Sequence, residues 1–415
     1  MNPHHLRQTK GKAGLAGRMA WRMALACALL AGTATPIFAQ PRPESGDLTQ
    51  LPPVPTSFTP ERLPWGDYDF TGIWPTERLT EGRILFQRPP AYGDRAWVTD
   101  EEFERRLAAA RGNDGSYAAA TETGIGTAGT AGLEHWFRTA DMGKRTSVLV
   151  DPPDGQLLRL TPEGQRLFDE GRSGWKPGQH YDWVTDLDTW DRCITRGFPA
   201  SMYPNRYNNG IRLFQSPGYI VIMLEMLGTR VIPIVSREQA TQHWPDNVTT
   251  WMGNSRAWWD GKTLVIETRN IMAGDAVTQN SYRRSAAPVI VTMIGGAPFN
   301  TIPTSPAARS TERLTMTGPD AIVHELTYSD LQTFTAPWTA RIEWTRDESH
   351  QFFEYACHEA NHMPRDYISA SRGQRAKEAS GEVPPVTAAE DDRARFTQQF
   401  DWDPGLGPRP APAGQ

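Results

Sequence analysis

The chain predicts a mainly β fold: an antiparallel meander forming a lipocalin-like barrel or sandwich, with a few helices and long loops. Three observations predict it. Short, β-branched apolar runs crowd the second half. Tight-turn signals separate them, Asp260-Gly261 and Gly318-Pro319-Asp320 among them. The runs also alternate. Ile322, His324, Leu326 and Tyr328 share one face, and Val323, Glu325 and Thr327 the other.

In chain order, residues 1–39 read as a signal peptide. Arg7, Lys10, Lys12, Arg18 and Arg22 precede any acidic residue. An apolar run from Met23 to Ala31 follows, and Ile37-Phe38-Ala39 is a small-residue cleavage site. The run is well short of the ~20 residues that span a bilayer. Residues 40–64 are a Pro-rich linker or strap. A single β-rich domain follows over 65–380, with a loop and helix insertion at about 99–190. Thr99 and Glu102 form a capping box that opens a helix over 99–111. Gly112–Gly132 lacks periodicity and reads as a loop or lid. Thr161 and Pro162 open a short helix over 162–170. Residues 175–190 are polar, aromatic and irregular.

Strands are then expected at Tyr219–Leu224, Thr229–Ile234, Arg256–Trp259 and Lys262–Thr268. Others follow at Ser310–Thr317, Ala321–Tyr328, Trp338–Thr345 and Gln351–Cys357. A helix over 365–379 closes the domain, and 381–415 is a Pro-rich, disordered tail.

The formal net charge is −5. Removing the leader, with its five basic residues, takes it to about −10. No long basic stretch remains, which argues against a nucleic-acid partner. No second long apolar stretch remains either, so the expectation is a periplasmic or secreted protein without a stable membrane span. Its oligomeric state is left open. Outside the leader stand Cys193 and Cys357. In an oxidising compartment they can pair, and the alternative is two buried thiols.

Several pieces carry a resemblance. They are Thr71-Gly-Ile-Trp74, Arg145-Thr-Ser-Val-Leu-Val-Asp-Pro-Pro-Asp-Gly155, Arg192-Cys193, Tyr207-Asn-Asn209 and Gln215-Ser-Pro-Gly-Tyr219. Trp251-Met-Gly-Asn-Ser-Arg256, Trp259-Asp-Gly-Lys-Thr-Leu-Val265, Glu312-Arg313, Pro337-Trp-Thr-Ala340 and Glu354-Tyr-Ala-Cys-His-Glu-Ala-Asn361 complete the set. Together the chain resembles a widespread family of uncharacterised exported bacterial proteins, over about residues 70 to 375. That resemblance implies no particular activity. The Gly-Ile-Trp opening and the meander also resemble the lipocalin (calycin) pattern.

Among chemistry-bearing residues, Glu225 ends an apolar run. Burial would raise its pKa and suit it to general-acid work; an ion pair with Arg230 or Arg256 is the structural alternative. His358 and Glu359 follow the last expected strand and can exchange protons. His358-Glu-Ala-Asn-His362 also matches H-E-x-x-H, which on a helix holds zinc, with Glu378 or Glu382 as third ligand. Pro364 and the preceding strand-like run argue against that helix. Arg145, Tyr207, Asn208, Asn209, Arg256, Trp259 and Asn361 are candidate ligand-binding residues. Asp151–Gly155 reads as a rigid turn. Asp186, Asp188 and Asp191 have calcium-loop spacing but lack its glycine. Nucleophile-elbow, P-loop and dinucleotide fingerprints are absent from the sequence.

The expectation is a cofactor-independent acid/base enzyme: a lyase, hydratase, isomerase or hydrolase acting on a small aromatic, terpenoid or glycoside-like compound. Alternatives are a non-catalytic periplasmic binding protein for an apolar ligand and a zinc hydrolase.

Overall fold

The computed structural model describes residues 46–76, 86–123, 143–169, 180–187, 192–195, 197–204, 208–272 and 304–385. The expected signal peptide, Tyr207 and most of the expected tail lie outside these residues.

The fold is mainly β, as expected, and consists of two antiparallel sheets. The smaller sheet has the order β1-β3-β4-β5. Its strands are β1 (Gly72–Pro75), β3 (Gly210–Ser216), β4 (Tyr219–Leu224) and β5 (Thr229–Pro233). The larger has the order β2-β10-β9-β8-β7-β6. It comprises β2 (Leu149–Asp151), β6 (Asn254–Asp260), β7 (Thr263–Arg269), β8 (Arg309–Gly318), β9 (Ala321–Ser329) and β10 (Trp338–Thr345). β6 to β10 are the expected meander. Asp260 faces Thr263 across the Asp-Gly turn, where Gly261 takes φ +62°.

Alternation decides what lies between the sheets. Ile211, Leu213, Ile220, Ile222 and Ile232 come from the smaller one. Leu264, Ile266, Leu314, Leu326, Ile342 and Trp344 come from the larger. Single bridges join the sheets at both margins, Thr76 to Trp344 and Ile234 to Ala257. Neither is a ladder, so the arrangement is not a closed barrel. A cluster of aromatic side chains fills part of the core. Phe86, Tyr203, Tyr328, Phe334 and Trp338 are fully buried and meet mostly edge to face.

The helices are α1 (Asp100–Thr123), α2 (Pro162–Asp169), α3 (Arg237–Ala240) and α4 (Met363–Ala379). The capping box is present. Glu102 N–H donates to Thr99 Oγ1 at 3.1 Å, and Thr99 N–H to Glu102 Oε2 at 2.8 Å.

Two expectations need correction. Helix α1 continues through Gly112 to Thr123, so the first half of the expected loop is helical. Its alanines outweigh its two glycines in helix propensity. The expected strand at Gln351–Cys357 is irregular. Its Phe353 N–H points at the Glu225 carboxylate instead of a neighbouring strand.

Residues 46–64 are tied to the domain through their backbone. Ser57 O accepts from Lys262, Gln50 O from the Trp97 indole, and Pro52 O from Arg341. Cys193 and Cys357 form a disulfide with Cα atoms 5.6 Å apart. It fastens the segment leading into α4 to the chain before β3.

Candidate functional site

A cleft of about 530 Å³ opens where β5 and β6 part, a volume within the range of small-molecule sites. Val231 and Pro233 come from β5, and Ser255 and Arg256 from β6. Trp244, Trp251, Met252 and Gly253 come from the connection between them, and Ile194 and Thr195 from the segment after Cys193. Trp244 and Val231 are exposed at its surface. Arg230 and Arg256 are the charged residues of this lining, which contains no carboxylate.

Gly253 is needed at the floor. Its φ is +71°, and a Cβ there would stand 2.6 Å from Thr268 Cγ2 and 2.8 Å from Arg269 O. Behind the floor, His243 Nδ1 lies 3.0 Å from Asn254 Oδ1, and its Nε2 is 3.5 Å from Glu267 Oε1. His243 first, and Arg269 after it, lower the Glu267 pKa below its ordinary value against the opposing effect of burial.

Arg230 crosses from the smaller sheet to the larger. Its guanidinium donates to both Glu312 carboxylate oxygens, at 3.0 and 2.5 Å, and to Ser255 Oγ and Thr268 Oγ1. It also stacks over Phe198 at 4.6 Å. His324 Nε2 lies 2.9 Å from Glu312 Oε1. Glu312 and His324 are completely buried. Burial pushes the Glu312 carboxyl up, but the Arg230 charge and the His324 hydrogen bond outweigh it, leaving a pKa of about 2. His324 was legible as a polar residue in an apolar stripe, but its partner two strand positions away on β8 was not.

Glu225 sits at the β4–β5 turn, 5 % exposed. Its carboxylate accepts from Gly210 N–H at 2.8 Å and Asn208 Nδ2 at 3.1 Å, and His350 Nε2 lies 3.2 Å away. Gly210 is required for that approach, because a Cβ would stand 2.7 Å from Glu225 Oε2. Burial raises the Glu225 pKa, yet the hydrogen bonds from His350 and the Gly210 N–H bring it below its ordinary value. The raised pKa expected of a general acid is therefore corrected to a lowered one. The arginine alternative is corrected too: Arg230 pairs with Glu312, and the partner of Glu225 is His350.

The remaining expected residues scatter. His358 and Glu359 are exposed, in a turn directly after the disulfide. His362 is the N-cap of α4, with Pro364 in its first turn. His358 and His362 thus lack the shared helical face that zinc binding by H-E-x-x-H requires. Among the described residues no group of three metal-ligating side chains occurs. Asn361 Nδ2 donates to Cys193 Sγ at 3.1 Å. Asn209 O accepts from Thr76 N–H, knitting β3 to the strand beside it. Arg145 is buried and donates to the Ser147 and Arg341 carbonyls. Trp259 donates to Asp67 Oδ1 at 2.8 Å and packs on Tyr68 and Phe70. Neither Arg145 nor Trp259 lines the cleft. Arg256 does. Asp186 Oδ2 accepts from the Asp182 and Trp183 N–H groups as a turn.

Sequence reasoning missed His350 and Trp244, and it gave Trp251 only as part of a resemblance motif, not as a site residue. His350 lay between two expected strands with no pattern around it. The two Trp lay in a stretch without periodicity.

Comparison of the chain with protein-family models, curated proteins and solved structures returned no match.

Proposed function

We propose that the chain is an exported, cofactor-independent acid/base enzyme. It acts as a lyase, hydratase, isomerase or hydrolase on a small aromatic, terpenoid or glycoside-like compound held in the β5–β6 cleft. The observation that carries this reading is the cleft itself, with indole and aliphatic walls and a few convergent polar groups. Proton-transferring groups reach the same part of the chain through the segment 350–361. His350 meets Glu225, three residues before the cleft-lining Gly228. The disulfide joins Cys357, just before His358 and Glu359, to Cys193, just before the cleft-lining Ile194. The Cys193–Cys357 bond supports an oxidising compartment.

The cleft's charged lining favours a second reading, a non-catalytic binding protein. Arginine does not titrate near neutral pH, and Glu225 is held ionised by its partners. A broad metabolite screen for turnover separates the two. For the enzyme, turnover is expected; His350→Gln and His358→Ala should each lower kcat at least tenfold, and the exposed His358→Ala should do so with little change in thermal stability. Full turnover by both variants would remove these histidines from the reaction. A compound that binds stoichiometrically and is recovered unchanged would establish the binding protein instead.

A further inference from the structure

We propose that the cleft is an organic-acid site: Arg256 anchors a carboxylate whose aromatic body packs against Trp244 and Trp251. This rests on the cleft reading above and names the class of its ligand.

The argument starts from what each arginine is already holding. Arg230 lines the cleft, but its terminal nitrogens are committed to Glu312, Ser255 and Thr268. Its charge is therefore neutralised inside the fold. Arg256 is different. The Ser255 hydroxyl meets Arg230 inside, so the alternation of β6 turns Arg256 to the opposite side of the strand. There the register sets it opposite Glu267. Glu267 is already occupied by Arg269 and His243. Arg256 makes no hydrogen bond or ion pair among the described residues, and its Nε is a buried donor without an acceptor. A buried donor left unpaired is unfavourable, and a ligand acceptor would relieve it.

The rest of the lining defines the ligand's other end. Without a carboxylate there, nothing in the wall repels an anion. A planar guanidinium matches a carboxylate through paired hydrogen bonds. Trp244, Trp251, Met252 and Val231 favour a flat apolar body over a fully hydroxylated one.

The test uses the secreted full-length protein and a matched pair of probes, naphthalene-2-carboxylate and its neutral amide, by isothermal titration calorimetry. The acid should bind at least tenfold more tightly than the amide, and the preference should shrink as salt is raised. Arg256→Gln should weaken the acid at least tenfold and the amide less than threefold, with an unchanged circular dichroism melt. Equal binding of acid and amide would overturn the acid site while leaving the cleft reading intact. Binding of neither, together with a screen that yields only neutral ligands, would also overturn it. If Arg256→Gln does not fold, the acid-to-amide ratio and its salt dependence in the native protein decide. A cleft-blocking Val231→Trp that leaves acid binding unchanged would overturn the acid site and the cleft reading together.

Discussion

Glu225 shows how environment, rather than burial alone, sets a side chain's chemistry. A carboxyl at the end of Ile-Met-Leu invites a raised pKa, and the desolvation is real. The sequence does not reveal that the chain returns 125 residues later with His350, or that Gly210 leaves room for a backbone N–H. The lowered pKa has a stability consequence. Protons bind more readily to the unfolded carboxyl than to the folded one. The stabilisation is therefore complete above the ordinary value near 4.5 and is lost as pH falls through the lower folded pKa. Glu225→Gln keeps the shape but turns one acceptor into a donor facing Gly210 N–H and His350. It should cost about 1–3 kcal/mol at pH 7. Urea titrations at pH 7 and pH 3 should show the deficit at the first and a smaller one at the second.

Among the elements, those legible in sequence were the ones whose information is local. The Asp-Gly hairpin and the Gly-Pro-Asp turn carry their own backbone geometry. β4 and β10 emerged with their expected bounds, because β-branched alternation repeats every two residues. β3 was not read, since Gly210–Ser216 mixes Arg, Gln and Ser into its apolar positions. It is a strand because β1 and β4 flank it. The same distinction applies to the candidate site. Arg256 was legible, while Arg230, Glu312 and His324 form a unit only when β5 lies across β8 and β9. Removing one partner of such a buried pair strands the other charge. Glu312→Ala should therefore cost about 3–5 kcal/mol. The double variant Arg230→Met with Glu312→Leu should recover most of that loss, read as urea midpoints. Glu312 has a folded pKa of about 2. Its share of stability should persist above pH 4.5 and disappear between there and pH 2.

For the molecule as a whole, the disulfide is the longest-range covalent tie, spanning 164 residues. In the chain-entropy model a loop of that size stabilises the fold by roughly 5 kcal/mol. Replacing Cys193 and Cys357 together by Ser should lower the urea midpoint accordingly. Because Ile194 and Thr195 follow Cys193 into the cleft wall, the same double variant should weaken ligand binding even at low urea, measured by calorimetry.

The single bridge between Ile234 and Ala257 has one more consequence. A strand margin that stops pairing after one contact keeps peptide groups that a ladder would have consumed. Such margins elsewhere recruit other chains and aggregate. Here the margin opens into a recess lined by Trp244 and Trp251. The interrupted pairing thereby leaves side chains of both margins facing one recess, a space that a continuous ladder would have closed.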